Sequence, residues 1–404
     1  MMAASLTLVP AILSILGRVS FYPFIPWTPA MKKERAARKG KPYSPSEKKE
    51  GLGLKVGGLI GKRPWTVVLA TTLILAGFAF FSTKIDYTYD TLSSFPKNMP
   101  SREGFALIAD HYSPGDLAPV HVIADTEGKQ TGIKEVLESL PFVANVSNPE
   151  TGKNNSEMEL YEVKLAKNPY SNEAIDHIPD IRDKIVSALE GAAIDNAPDK
   201  VWIGGLTAEQ YDTREITVKD SNVIIPVILA LIAILLFGYL RSITATAYLI
   251  GTVVLSFFSA LGLGWIVLHY GFGVEAIQGF IPLYAFVFIV ALGEDYNIFM
   301  VSGIWRKSKE MPLWRAVKEG VAESGAVITS AGLILAGTFI VLTTLPIQIL
   351  VHFGTITAIG ILLDTFIVRP FLVPAITVLL GKWAFWPSRR NMVATVSQKE
   401  HQAG

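Results

Sequence analysis

Two adjacent carboxylates interrupt a membrane-length apolar stretch, and two hydrogen-bonding side chains follow them. The four residues are Glu294, Asp295, Tyr296 and Asn297, within residues 277–305. An ionised carboxylate at the centre of a membrane helix costs roughly 3 kcal/mol on insertion scales, so such residues are rare and usually face a bundle interior or a water path. The pattern predicts an intramembrane site that takes up and releases protons.

Only one of the two acids needs to face the bundle interior, because consecutive side chains on a helix point about 100° apart. Asp295 is the stronger candidate for the proton-carrying residue, since Tyr296 and Asn297 follow it and can extend a hydrogen-bonded network. Glu294 and Asn297 are secondary candidates. The alternative is a structural Asp295, neutral at rest and hydrogen-bonded across a helix interface.

Asp364 and Ser330 are further secondary candidates on other apolar stretches. The register places Asp364 nearer the cytoplasmic side than Asp295, with Arg369 about a turn and a half beyond it. A salt bridge and a role in proton transfer are equally compatible with Asp364, because charges inside membranes usually pair. Ser330 is a candidate to offer a hydroxyl group to Asp295.

The elements that position these side chains are apolar runs of membrane length. They predict a bundle of six spanning α-helices and the end of a preceding one, with a polar domain inserted after the first span. The spans are expected at residues 65–82, 223–240, 243–269, 277–303, 326–345 and 349–380, the last five within a region 221–381, and the preceding end is expected at residues 1–17.

Composition supports an integral membrane protein with a substantial polar portion. Half of the 404 residues are hydrophobic and the formal net charge is +1, a balance that predicts neither a disordered chain nor a nucleic-acid binder. Cysteine is absent, which excludes a disulfide framework, a thiolate metal site and a cysteine nucleophile. No cofactor is expected, and the glycines of residues 51–61 match neither an ATP-binding phosphate loop nor a dinucleotide fingerprint.

Charge asymmetry predicts the orientation of the spans. Residues 18–64 carry 12 Lys or Arg against three Glu, whereas residues 84–220 carry 24 acids against 13 bases. Basic loops mark the cytoplasmic side. We therefore expect a cytoplasmic linker at residues 18–64, an extracytoplasmic domain at residues 83–220, a cytoplasmic tail at residues 382–404, and both chain ends in the cytoplasm of a multi-pass cell-membrane protein.

An internal repeat links the two ends of the sequence. LVPAILSILGRVSFYP (residues 8–23) aligns without gaps to LVPAITVLLGKWAFWP (residues 372–387), with nine identities in sixteen positions. Such repetition indicates a duplicated architecture, so the chain is expected to be the C-terminal half of a protein about twice as long. A signal peptide at residues 1–17 is the weaker alternative, because no Lys or Arg precedes its apolar stretch.

The polar domain has its own alternation of strands and helices. Strands are expected at residues 118–124, 142–146, 158–165 and 200–204, and helices at residues 129–140 and 172–189. This β-α-β-β-α-β order predicts an α+β, ferredoxin-like domain. His111, Asp116 and His121 lack a recognised metal-ligand spacing, so we expect packing or surface roles for them. Residues 207–220 are expected to continue as a helix into the next span.

Four stretches of the sequence together resemble one family. They are GGLTAEQYD from residue 204, ALGEDYNIFMVSGIWRK from residue 291, AVITSAGLILAGTFIVL from residue 326 and ILLDTFIVRPFLVPAITVLLG from residue 361. In this order they resemble the MMPL (mycobacterial membrane protein large) branch of the resistance-nodulation-division (RND) superfamily. The resemblance implies twelve helices in two six-helix repeats, each with a porter domain inserted after its first helix, of which this chain matches the last helix end of repeat one and all of repeat two.

The resemblance also implies a mechanism. By this resemblance, the chain is similar to proton-driven exporters of lipids and other hydrophobic molecules. In such family members, Asp-Tyr pairs on the fourth and tenth helices form the proton relay. Asp295 and Tyr296 match the tenth-helix pair. Because nothing here matches the fourth-helix pair, transport is expected only with a first-half partner or in a homo-oligomer.

The expected partners are membrane lipids and a hydrophobic substrate, with no nucleic acid and no ATP. The main alternative is a non-transporting membrane scaffold or receptor, or an inactive truncated half, in which Asp295 is structural. An enzyme is not expected, because no catalytic constellation appears in the polar domain.

Overall fold

The computed structural model describes residues 2–21, 31, 38, 52–90, 92, 95, 99–112 and 114–387. The chain divides into two compact units, residues 1–51 and residues 52–404. Most of the linker predicted at residues 18–64 and most of the tail predicted at residues 382–404 lie outside the described residues.

Within its described residues, the first unit contains one apolar helix of ten residues or more. Helix α1 (Met2–Leu16) is followed by a 3₁₀ turn, Gly17–Phe21. The helix ends where Gly17 adopts a φ of +55°, a conformation that glycine reaches without steric cost. Helix α1 and the turn after it together contain most of the first copy of the internal repeat.

The second unit contains, within the described ranges, six helical segments long and apolar enough to cross a membrane. Their apolar composition over 21 to 36 residues suits a hydrocarbon core that about 20 residues can span. The segments are Pro64–Lys84, Leu206–Leu240, Ile243–Gly271, Ile281–Lys307, Leu313–Leu342 and Gln348–Trp383. Their α-helical parts are α3 (Pro64–Phe81), α8 (Leu206–Leu240), α9 (Ile243–Ile266), α10 (Ile281–Lys307), α11 (Leu313–Leu342), α12 (Gln348–Leu363) and α13 (Val373–Leu380).

Glycines bring the helices of this bundle into close contact. A Cβ on Gly264 of α9 would lie 2.7 Å from Ile356 Cγ1 of α12, and a Cβ on Gly354 would lie 2.6 Å from the Phe339 carbonyl oxygen of α11. Small residues at these positions let helix backbones approach one another. These contacts bring both α9 and α11 close to α12.

The last membrane segment changes helix type partway along. Between α12 and α13, residues Asp364–Leu372 form a π-helix that contains Pro370. Proline lacks an N–H and its ring clashes with the preceding turn of an α-helix, so a local widening of the helix accommodates it. The sequence left open whether this run tilts or ends after Arg369, and in the structure the helix continues past Arg369 to Leu380.

A short amphipathic helix precedes the first span. Helix α2 (Leu52–Lys62) packs along α11. A Cβ on Gly53 would lie 2.9 Å from Ala322 Cα, and one on Gly57 would lie 2.8 Å from Lys318 Cα. Both glycines therefore allow backbone-to-backbone contact between α2 and α11.

The polar part between α3 and α8 is built on an antiparallel sheet. Strands β2 (Val120–Asp125), β3 (Val143–Val146), β5 (Met158–Leu165) and β6 (Val201–Gly204) lie in the order β3-β5-β2-β6, and the short β4 (Glu150–Thr151) pairs with β5. Helix α5 (Ile133–Glu138) follows β2, and α6 (Asn172–Asp176) and α7 (Ile178–Gly191) follow β5. With β4 set aside and α6 and α7 counted as one helical segment, the order is β-α-β-β-α-β. Helix α4 (Pro100–His111) precedes the sheet.

Two helices of this domain differ from their predicted bounds. The helix expected at residues 172–189 is two helices joined at His177, because Pro179 occupies the first turn of α7 and favours a helix start. The helix expected at residues 129–140 begins only at Ile133, since Gly128 and Gly132 hold φ angles of +70° and +63°.

Two connections join the polar domain to the bundle. Helix α8 runs without a break from the domain into a membrane segment, and Thr207 near its start donates a hydrogen bond to the Pro169 carbonyl oxygen (3.0 Å). Strand β1 (Tyr87–Thr88), just after α3, pairs in parallel with β7 (Ile277–Gln278), just before α10. A displacement of the domain would therefore reach both α8 and α10.

Candidate functional site

Helix α10 turns its two adjacent acids in different directions. Glu294 is buried with 5% of its surface exposed, whereas Asp295 is exposed. The sequence favoured Asp295 as the acid that faces the bundle interior, and this part of the prediction needs correction. Helix α10 is apolar on nearly every face, so neither periodicity nor the polar neighbours of Asp295 could decide the register.

Asp295 lies on an otherwise apolar, exposed face of α10. The residues at helical spacing along it are Tyr284, Phe288 and Phe299, which are 54%, 44% and 54% exposed. A carboxylate facing lipid on such a helix is costly, by roughly 3 kcal/mol on insertion scales. This face, termed the Asp295 face, is therefore suited to cover by another protein surface.

Inside the bundle, Glu294 lies next to a buried ion pair. Arg369 Nη2 donates hydrogen bonds to Asp364 Oδ2 and to the Gly293 carbonyl oxygen, the latter at 3.3 Å. Asp364 and Arg369 are 2% and 3% exposed. Glu294, Asp364 and Arg369 together are termed the buried triad.

Tyr296 connects the Asp295 face with the buried triad. The Arg369 guanidinium carbon lies 4.6 Å from the centre of the Tyr296 ring, which permits a cation–π contact. Tyr296 is partly buried, between the exposed Asp295 and the buried Asn297 on its own helix. The Asp-Tyr pair thus lies at the boundary between the interior and the outer face.

Several polar atoms of the site lack hydrogen-bond partners within the described part of the chain. They include both carboxyl oxygens of Glu294 and both amide atoms of Asn297, which is fully buried. Asp364 Oδ1 and Arg369 Nη1 are also unpartnered. Buried polar groups normally have partners, so these unpartnered atoms make the site a candidate for proton binding.

Asp364 lies at a different level from the one expected. A Cβ on Gly293 would be 3.3 Å from Asp364 Oδ2, which sets Asp364 beside the two acids of α10 rather than nearer the cytoplasmic side. The reason is that α12 and α10 pack closely, with Gly360 against Ile289. A salt bridge was one of the two roles that the sequence left open for Asp364. In the structure, Asp364 forms a salt bridge with Arg369.

Ser330 does not reach the acids of α10. It is exposed, and its hydroxyl donates to the Val327 carbonyl oxygen of its own helix (3.1 Å). Serine on an exposed helix face commonly forms such a bond to the preceding turn. Within the described residues, no hydrogen bond joins Ser330 to Asp295. The expected contact between the Ser330 hydroxyl and Asp295 is therefore wrong.

The histidines of the polar domain have ordinary surroundings. His111 Nδ1 lies 2.8 Å from the Leu107 carbonyl oxygen, and His121 Nδ1 lies 4.0 Å from a Glu162 carboxyl oxygen. Asp116 forms an ion pair with Lys164 at 2.6 Å, and its hydrogen bond raises the pKa of the Lys164 ammonium. Their expected surface and packing roles agree with these contacts.

Arg369 is the residue of the site that sequence reasoning undervalued. The sequence indicates Arg369 only as a partner for Asp364. In the structure it also contacts the Gly293 backbone and the Tyr296 ring. An arginine inside a membrane-length apolar run is itself unusual. That signal could have placed Arg369 among the candidates.

The six apolar, membrane-length helices of the described residues, together with their buried charges, define the chain as a multi-pass membrane protein. The sequence model of the MMPL family matches residues 121–399. The chain belongs to the MMPL family, as its motifs predicted.

Relatives of known name resemble this chain over nearly all of its length. It is 58% identical over 396 residues to the apo-petrobactin exporter of Bacillus anthracis, covering 98% of this chain and 53% of the relative. It is 34% identical to the putative membrane protein SCO5905 of Streptomyces coelicolor, covering 96% of this chain and 45% of that protein. The chain therefore spans about half the length of these relatives.

A third relative matches a shorter stretch. The sulfolipid-1 exporter MmpL8 of Mycobacterium tuberculosis is 37% identical over 228 residues, which cover 56% of this chain and 20% of that protein. Two of these three relatives are thus named as exporters.

Proposed function

We propose that this chain acts as the C-terminal half of a proton-motive-force-driven exporter of lipids or other hydrophobic molecules. The single observation that carries the proposal is Asp295, a carboxylate on an exposed face of a membrane helix. Two relatives are named as exporters, and the chain spans 53% of one of them. One proton crossing 100 mV supplies roughly 2.3 kcal/mol, equivalent to about a fiftyfold concentration ratio.

Asp295 and Tyr296 form half of the proton relay in this proposal. Protonation removes the charge of Asp295 and with it the cost of burying that side chain against a second surface. The Asp295 face then packs closely against the partner, and deprotonation loosens the contact. A first-half partner supplies that surface, with a second copy of this chain as the other possibility.

The sheet domain serves as an extracytoplasmic porter domain. Helix α8 runs without a break from this domain into the bundle, and the β1–β7 pairing connects the domain to α10. A change in packing at Asp295 would therefore move the domain as well, which is how proton binding in the membrane would drive passage of substrate outside it.

Replacing Asp295 tests the relay. The chain is co-expressed with the part of the Bacillus anthracis relative that it does not cover, and export of apo-petrobactin, sulfolipid-1 and a fluorescent lipid analogue is measured. We expect Asp295→Asn to abolish gradient-driven accumulation, because asparagine cannot release a proton. Glu310→Gln, an exposed residue beyond α10, is the matched control and keeps full export. Unchanged export by Asp295→Asn would refute the relay.

Labelling with a membrane-impermeant maleimide tests the orientation. The chain contains no cysteine, so single cysteines report without background. Both Glu138 in the sheet domain and Glu310 in the α10–α11 loop are exposed. We expect Glu138→Cys to react in intact cells and Glu310→Cys to react only after the membrane is opened. The reverse pattern would place the sheet domain in the cytoplasm and both chain ends on the extracytoplasmic side.

A non-transporting scaffold or receptor is the second candidate function. The observation that supports it is the Asp364–Arg369 pair, because an ion pair inside a bundle can serve a purely structural role. On that account Asp295 only contacts a partner. Retention of the partner together with unchanged export in Asp295→Asn would favour this function.

A further inference from the structure

We propose that Glu294 is a second proton-binding residue, located inside the bundle, with the Asp364–Arg369 pair as its fixed counter-charge. The proposal rests on the proton-coupled function above and adds a site that the Asp-Tyr pair does not include. In the exporter, Glu294 would accept a proton in one arrangement of the helices and release it in the other.

The charge balance of the buried triad is the first argument. The triad contains two carboxyl groups, Glu294 and Asp364, but only one permanent cation, Arg369. Arg369 bonds directly to Asp364 and to the Gly293 carbonyl oxygen. One carboxyl group is thus neutralised by a salt bridge, and the other has no counter-ion. An unpaired buried charge is costly, so binding of one proton brings the triad to neutrality.

The unpartnered atoms around Glu294 are the second argument. Neither of its carboxyl oxygens has a hydrogen-bond partner within the part of the chain that the structure describes. Asn297, one turn further along α10, is fully buried and both of its amide atoms are unpartnered. An amide can donate to an ionised carboxylate and accept from a protonated one. Asn297 is therefore able to serve both protonation states of Glu294 after a small side-chain rotation.

The surroundings of Glu294 contain few other charges. The groups that act on it electrostatically are Asp364 and Arg369 from the π-helix and Asp295 from its own helix. Helix α12 contributes one further buried titratable residue, His352, twelve positions before Asp364 and thus roughly 18 Å away along the helix. The buried side chains of α8, α9 and α11, within their described residues, include no Asp, Glu, Lys, Arg or His. Proton binding at Glu294 is thus governed by the triad and Asp295.

Infrared spectroscopy of the full chain in lipid nanodiscs tests the proposal without any transport. The measurement follows the carbonyl stretch of protonated carboxyl groups during a pH titration. We expect Glu294→Gln to remove one titrating band. Glu310→Gln, which removes an exposed carboxyl group, should leave that band in place. A band unchanged in Glu294→Gln would overturn the proposal.

Asp364→Asn is the second test, because it leaves Glu294 in place. It removes the carboxylate that neutralises Arg369, so Glu294 becomes the counter-charge and gives up its proton. The band assigned to Glu294 should therefore disappear in Asp364→Asn although the residue is still present. Persistence of the band would contradict the shared role of Arg369.

The outcomes separate this proposal from the proposed function. Loss of the band in Glu294→Gln together with normal export by Asp295→Asn would keep the buried proton site and reject the Asp295 relay. An unchanged band in Glu294→Gln together with loss of export in Asp295→Asn would reject the buried proton site and keep the Asp295 relay. Glu294→Gln in the co-expressed exporter should also lose gradient-driven export, and full export by this variant would overturn the transport role of Glu294.

Discussion

Arg369 holds more of the site together than any other side chain. Its guanidinium bonds to Asp364 and Gly293 and lies over the Tyr296 ring. These contacts join the π-helix of the last membrane segment to α10. Both side chains of the Asp364–Arg369 pair are almost completely buried, at 3% and 4% exposure. Removing Arg369 therefore leaves the Asp364 carboxylate without its counter-charge in the bundle.

Arg369→Met is predicted to destabilise the bundle by about 3–5 kcal/mol, the usual cost of breaking a buried ion pair. Thermal unfolding of the detergent-purified chain measures the effect. The double variant Arg369→Met with Asp364→Leu should recover most of the lost stability, because it also removes the unpaired carboxylate. Equal stability of Arg369→Met and the unaltered chain would contradict the structural role of the pair.

At the level of single residues, the sequence indicated the candidate site but not which of its acids faces the bundle interior. The two acids of α10 were visible as charges in an apolar run, and their cost in a membrane made them candidates. Which acid faces inward depends on how α12 packs against α10 through Gly360 and Ile289. That contact joins residues 71 positions apart in the sequence, so local pattern carries no trace of it.

At the scale of helices, glycine positions determine how closely α3 and α9 approach. A Cβ on Gly262 of α9 would collide with the Phe78 carbonyl oxygen and lie 2.9 Å from Ser82 N, whereas a Cβ on Gly251 would meet nothing within 4 Å. Backbone atoms cannot rotate away as a side chain can. The two glycines of one helix thus offer a matched comparison.

Gly262→Ala is predicted to destabilise the bundle by about 1–3 kcal/mol through overpacking. Gly251→Ala should be neutral or stabilising by up to about 1 kcal/mol, because alanine has the higher helix propensity. Thermal unfolding in detergent distinguishes the two variants. A loss of stability in Gly251→Ala as large as that in Gly262→Ala would show that the close approach of α3 and α9 is not the cause.

The six membrane segments and the order of the sheet elements could be predicted, because each depends on local composition and periodicity. The π-helix at Asp364–Leu372 and the break at His177 could not. Both depend on how the surrounding helices accommodate a proline. The sequence shows the proline but not whether the chain bends, widens or stops at it.

At the scale of the whole molecule, the internal repeat has a structural counterpart. Gly17 in the first copy and Gly381 in the second hold φ angles of +55° and +53°, and each begins a 3₁₀ turn at the end of an apolar helix. The two copies thus share a local conformation as well as nine identities. A duplicated architecture remains the prediction that explains both.

In the proposed function, the Asp295 face links this duplication to transport. An acid on an exposed, apolar helix face is unfavourable in lipid, and the chain spans about half the length of its relatives. A partner surface that covers Asp295 would remove the exposure and complete the relay. We therefore propose that proton-driven export requires this chain together with such a partner.

Reconstitution in cells is the most direct test of that claim. Export of the same three substrates is measured for this chain alone, for the uncovered part of the Bacillus anthracis relative alone, and for both together, with and without a proton uncoupler. We expect export only by the pair, and we expect the uncoupler to abolish it by collapsing the gradient. Export by this chain alone, no export by the pair, or export by the pair that persists with the uncoupler, would contradict that claim.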